Sequence, residues 1–80
     1  MDTQKQIDNF CRNIRSLRQA NHLTQKQMAK LLEISLYSLR RIESGTVPPK
    51  LDVDILFKIH ETFGILPSRL FAPDLDFPQR

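Results

Sequence analysis

The apolar positions of the chain fall into helical stripes. Ile7, Phe10, Cys11, Ile14 and Leu17 are spaced by threes and fours, which is one face of a first helix. Arg12, Arg15 and Gln19 lie off that stripe, and Arg12 and Arg15 are expected simply to be solvated. Thr3 with Gln6 is a candidate capping pair for its start. Its end is expected near Asn21-His22, because Asn tolerates the left-handed closing conformation. Met28, Ala29, Leu31 and Leu32 predict the buried side of a second helix, about 25–32. Thr24 opens it, with Gln27 at the capping-box spacing. A third pattern opens at Ser35 and closes at Gly45, a residue suited to ending a helix. Leu32-Glu33-Ile34 leaves room between them only for a tight turn. Two helices joined by a turn of about three to four residues are the sequence form of a helix-turn-helix.

A fourth helix is predicted over about 53–63, with Asp52 as its cap. Val53, Leu56, Ile59 and Phe63 make its stripe, Ile55 and Phe57 widen it, and Gly64 stops it. A short last turn has Pro67 at its first position and contributes Leu70 and Phe71. Beyond Ala72, Pro73 and Pro78 preclude regular structure, and Leu75 and Phe77 stand out as apolar in a polar tail. These elements predict an all-α fold, a compact bundle of four to five helices. The domain is placed at 1–71, the motif at about 24–44, and a Pro-containing tail at 72–80.

The third helix is the most informative. On a wheel at about 100° per residue, Leu39 and Ile42 mark the buried side, with Ser35 nearby. Arg40, Tyr37, Arg41 and Ser44 form the opposite face. Arginine can bond guanine O6 and N7 as a fork, and tyrosine can bond a phosphate or pack on a sugar. On a generic helix the same arginines would be an ordinary charged face. Leu36 lies on the flank, where closing the edge of the core and touching a thymine methyl weigh equally. Glu43 falls near the buried side and needs a cationic partner. Arg18, late in the first helix, is the candidate, which makes it structural. Gln25 sits in a first turn, where unpaired backbone N–H groups suit a phosphate. Its local chemistry alone favours a solvent-exposed helix former. Lys50, in the Pro-stiffened stretch 46–50, can reach a flanking phosphate or stay solvated.

Charge sharpens this picture slightly. Residues 1–50 hold nine Lys/Arg against four Asp/Glu (+5), and residues 51–80 hold three against five (−2), within a net +3. A basic front half suggests a side facing a polyanion. Eighty residues make one small domain, with too little core for a large catalytic cavity. No apolar run approaches the ~20 residues of a membrane span, and the first ten residues lack a secretory layout. Cys11 is the single cysteine, which is read as a small core side chain and fits a reduced, cytoplasmic setting. His22 and His60 have no second ligand nearby, so no metal and no cofactor are expected. No nucleophile–base pair, paired carboxylates or Gly-rich phosphate loop points to an enzyme.

Taken together, IRSLRQANHLTQKQMAKLLEIS, SLRRIESG and LFKIHETFGILPSRLF resemble the phage repressor/Cro-type helix-turn-helix family, also called xenobiotic-response-element-type regulators. The resemblance covers roughly residues 10–71. Its most specific parts are Leu23-Thr24-Gln25, Met28-Ala29 and the Arg41-Ile42-Glu43-x-Gly45 ending. It implies a lambda-repressor-like DNA-binding domain. Gln25, Ser35, Leu36, Tyr37, Arg40, Arg41 and Lys50 would lie at DNA-facing positions, and Arg18 and Glu43 would match a recurring buried ion pair. Three positions depart from the pattern. Glu33 replaces the usual turn glycine, His22 a glycine often found before Leu23, and Leu36 a frequently polar residue. A positive φ at Glu33 would store strain of about 1 kcal/mol.

The expected function is a sequence-specific, prokaryotic transcriptional regulator, taken as a repressor. It would bind double-stranded DNA as a homodimer on a palindromic operator. The dimer contact is placed on Leu66, Leu70, Phe71 and the tail. The alternative is an antitoxin or other protein-interaction module that takes a partner through the tail.

Overall fold

A computed structural model describes residues 3–46 and 53–73 of the chain. Four α-helices and a 3₁₀ helix occupy them: α1 (Thr3–Ala20), α2 (Gln25–Leu32), α3 (Leu36–Glu43), α4 (Val53–Phe63) and the 3₁₀ helix Pro67–Phe71. The fold is all-α, with no strand among the described residues. Lys50, the Asp52 cap, Leu75, Phe77 and the side chain of Thr3 lie outside the described residues.

α1 packs on α3 and on the 3₁₀ helix, α2 packs on α3 and α4, and the 3₁₀ helix joins α1 to α4. All five elements therefore share one core, built on Phe10, Ile14, Leu17, Met28, Leu32, Leu39, Ile42, Ile59 and Leu70. The α1 stripe is buried from Phe10 to Leu17 as its spacing predicts, with Cys11 part of it and Ile7 half-buried. Burial, followed by the nearby Asp8 carboxylate, pushes the Cys11 thiol above its ordinary range, so it stays protonated.

Three helix ends are closed by the same backbone geometry, with a left-handed residue followed by paired return bonds. At the end of α1 that residue is His22 (φ 57°), not Asn21. Asn21 instead turns its amide Nδ2 back onto the Leu17 carbonyl at 2.9 Å. At the end of α2 it is Glu33 (φ 58°, ψ 40°), with Ile34 N–H bonded to Ala29 O at 3.0 Å. At the end of α3 it is Gly45 (φ 90°), with Thr46 N–H bonded to Arg41 O at 2.9 Å. Only this last is a glycine. The Glu33 carboxylate also meets Lys58 of α4 at 3.1 Å and raises that ammonium above its ordinary value, first by hydrogen bonding and then by charge. Glu33 is exposed and Lys58 partly so, which makes the pair a weak restraint. Glu33→Gly is therefore expected to be net stabilising by up to about 1 kcal/mol, seen as a rise of a few degrees in thermal midpoint. An unchanged or lower midpoint would mean the ion pair outweighs the backbone strain.

The stripe positions need several corrections. Leu31 is 40% exposed. The buried arc of α2 is centred near Leu32, between Met28 and Ala29, and Leu31 lies about 110° from that centre. Val53 and Phe57 are 60% and 62% exposed. The buried side of α4 is centred on Ile55 and Ile59, with Leu56 and Phe63 half-buried, and Phe57 lies about 180° away. Ser35 is exposed, not near the core. Of the dimer contact placed on Leu66, Leu70, Phe71 and the tail, Leu70 fails on burial and Phe71 is half-buried. Leu70 is fully buried, and Phe71 stacks on Phe10 with ring centroids 5.4 Å apart. Leu66 alone of these three is exposed.

Arg12 is not merely solvated. It donates to Asn9 Oδ1 at 3.2 Å and to the Pro73 carbonyl. Asn9 and Asn13, which no stripe singled out, are buried. Asn13 Nδ2 donates to the carbonyls of Leu70 (2.8 Å) and Ala72 (2.9 Å), and Asn9 Nδ2 to that of Phe71 (3.2 Å). A 3₁₀ segment leaves its last carbonyls without helical partners. The α1 amides supply those partners and tie the C-terminal turn to the first helix.

Candidate nucleic-acid interface

The candidate interface is built on α3. Ser35, with extended backbone (φ −71°, ψ 153°), caps it, its Oγ accepting from Ser38 N–H at 3.0 Å. The third helical pattern thus opens at Ser35, as the sequence predicts. α2 opens in the same way. Thr24 Oγ1 accepts from Gln27 N–H at 3.1 Å, and Gln27 Oε1 accepts from Thr24 N–H at 2.8 Å. Both helices thus begin at defined residues, and the turn between them is the three residues 33–35. Ile34 packs on the core there, which fixes how α3 leaves α2. Helix α3 closes at Glu43 with Ser44 as its cap, one residue short of the predicted end.

Leu39 and Ile42 are buried, so the remaining faces of α3 are set by rotation alone. Tyr37 is 68% exposed, Arg40 and Ser44 are exposed, and Arg41 is half-buried. Tyr37 and Arg41 are one turn apart and interact. Arg41 Nη1 donates to Tyr37 Oη at 3.0 Å, and its guanidinium carbon lies 5.5 Å from the ring centroid. The contact combines a hydrogen bond with a cation–π attraction and limits the rotamers of both side chains. Leu36 is half-buried and stands outside the core cluster.

Glu43 is the carboxylate of α3, and it is turned inward. Arg18 Nε and Nη2 donate to its two oxygens at 2.8 and 3.0 Å, a fork-on-carboxylate geometry. Their side chains are 15% and 5% exposed. Arg18 Nη1 also donates to Leu23 O at 3.0 Å, which ties the pair to the start of the motif. The ion pair read from the wheel is thus in place. Its effect is electrostatic as well as structural. The negative charge of α3 is neutralised inside, and the positive charge of Arg40 and Arg41 is left on the outer face.

Gln25 departs from its local reading. It is half-buried, and both ends of its amide are engaged. Nε2 donates to Glu43 Oε1 at 3.2 Å, and Oε1 accepts from Arg40 Nε at 3.4 Å. Nothing in the local sequence signals a contact between residues 25 and 43. It arises because the start of α2 lies beside the end of α3. Among the seven expected DNA-facing residues, Gln25, Arg40, Tyr37 and Arg41 are linked in two neighbouring groups, Ser35 and Leu36 stand at the α3 N-terminus, and Lys50 lies outside the described residues.

No group of His, Cys, Asp and Glu able to hold a metal occurs among the described residues, and no helix there is long and apolar enough to cross a membrane. Comparison with curated proteins and with solved structures returns no significant match. The family model described as a helix-turn-helix domain matches residues 11–73, most of the chain and nearly all of its described core. With the two capped helices, the three-residue turn and the exposed α3 face in the places that motif requires, the chain belongs to the helix-turn-helix domain family.

Proposed function

We propose that the protein is a sequence-specific DNA-binding transcriptional repressor of the Cro type, acting in the cytoplasm with α3 in the major groove. The observation that carries this reading is the outer face of α3, where Tyr37, Arg40 and Arg41 point outward and the Glu43 charge is spent on Arg18. Arg40 and Arg41 bond base edges, guanine above all. Tyr37 bonds a phosphate or packs on a sugar while steadying Arg41. Ser35 and Leu36 meet the groove at the α3 N-terminus. The partial exposure of Leu36, away from the core cluster, favours contact with a thymine methyl. The backbone N–H groups of the first turn of α2, at Gln25, lie toward the phosphates, and Lys50 toward the flanking backbone. The domain spans 1–71, with 72–80 as a tail. It binds as a homodimer on a palindromic operator, whose half-sites lie about one helical turn, ~34 Å, apart.

Selection from random oligonucleotides, followed by affinity titration at several salt concentrations and by the mass of the complex, tests this. An enriched two-part sequence bound by two chains is the expected result. Binding that varies only with salt, with no enriched sequence, overturns it.

A second reading, an antitoxin or other protein-interaction module, draws on the exposed Val53, Phe57 and Leu66. Co-purification with one defined partner, lost in Phe57→Ser, would favour it. Tight operator binding without a partner counts against it.

A further inference from the structure

Gln25 sits between two groups that dictate its orientation. Glu43 is acceptor-only, and a guanidinium is donor-only. The amide must therefore offer its NH₂ to Glu43 and its oxygen to Arg40, as the contacts at 3.2 and 3.4 Å place them. The flipped amide would set oxygen against oxygen and N–H against N–H. Glu43 cannot swing away to permit it, because Arg18 grips both carboxylate oxygens and is itself tied to Leu23 O. A chain of alternating donors and acceptors thus runs from α1 through the end of α3 and the start of α2 to Arg40.

We infer that Gln25 is a positioning residue for Arg40. The Arg18–Glu43 pair fixes its amide, and the amide holds Arg40 by Nε. This inference rests on α3 being the reading helix. With Nε engaged, the two terminal nitrogens of Arg40 form the fork left for an outside acceptor. That end-on fork matches the O6/N7 pair of a guanine in duplex DNA. Gln25 then contributes to base choice without touching a base. Arg40 is exposed and would otherwise sample many rotamers, so holding it at Nε lowers the ordering cost on binding. Arg41 is steadied separately, by Tyr37.

Two measurements test this. In the free protein, exchange of the Arg40 Nε proton with water, followed by NMR, is expected to be several-fold slower than that of Arg15, an exposed arginine on α1. Gln25→Met, which keeps the side-chain stem without the amide, should abolish the difference. Equal rates for Arg40 and Arg15 in the native protein, or no response to Gln25→Met, overturn the inference. If Gln25→Met does not fold, Gln25→Ala serves in its place, and the native comparison needs no variant. On DNA, Gln25→Met and Arg40→Ala are each expected to lose about ten-fold at the same guanine step. The double variant should bind no more weakly than Arg40→Ala. Losses that multiply, or a uniform loss across sequences with a shallower salt slope, would instead make Gln25 an independent phosphate contact. Failure to select any sequence defeats the reading-helix assignment. The exchange measurement still decides whether Gln25 positions Arg40.

Discussion

Glu43→Ala is expected to destabilise the fold by about 3–5 kcal/mol, the cost of leaving one partner of a buried pair uncompensated. Arg18 would keep its charge at 15% side-chain exposure, with two of its three engaged nitrogens emptied. For a domain whose whole stability is of order 5–15 kcal/mol, that is a large fraction. The loss would also reach beyond the pair, because Gln25 donates to the same carboxylate. Urea unfolding monitored by circular dichroism measures it. Arg18→Met combined with Glu43→Leu should recover most of the loss, since two apolar side chains need no ionic partner. A cost below about 1 kcal/mol for Glu43→Ala would show instead that water reaches Arg18 freely, as at a surface pair.

Arg41→Ala and Tyr37→Ala are expected to act on DNA binding with little effect on stability. Each removes side chain from an exposed or half-exposed position outside the core. Arg41→Ala should weaken the selected operator by ~1–3 kcal/mol, roughly five- to 150-fold, and relax preference at one base step. Arg41→Lys keeps the charge but not the fork, so it should retain non-specific affinity while losing much of the preference. Tyr37→Ala should share part of the Arg41 loss, because the phenol oxygen and ring hold that guanidinium. The double variant would then fall short of the product of the single effects. Titrations of operator and scrambled duplex at matched salt separate these outcomes. If either single variant unfolds, that side chain belongs to the core and the assignment of the face is wrong.

The helices and the motif were legible because they rest on local chemistry. The capping box at Thr24 and Gln27, the Ser35 cap and the Gly45 closure each lie within a few residues. The Arg18–Glu43 pair was also legible, although 25 residues separate its members. A carboxylate near the buried side of a wheel needs a cation, and few were placed to supply one. Burial on short helices is less legible. Leu31, Val53 and Phe57 are apolar at helical spacing, yet a stripe does not say where its centre lies when every flank is apolar. Only the neighbouring helices choose which part of a wide stripe is covered. The same limit applies to Leu70, placed at a dimer contact but buried in the core beside the N-terminal helix.

By itself the sequence determined four helices, the starts of the second and third, the tight turn and the division of α3 into an apolar and a basic face. These follow from interactions among residues close along the chain, which are the same wherever the chain packs. The tertiary structure alone decided what several other polar side chains do. It turned Asn9 and Asn13 to the carbonyls of the C-terminal turn, and it set Gln25 between Glu43 and Arg40. An amide or a guanidinium can serve many partners, so its role depends on which distant groups packing brings within about 3 Å.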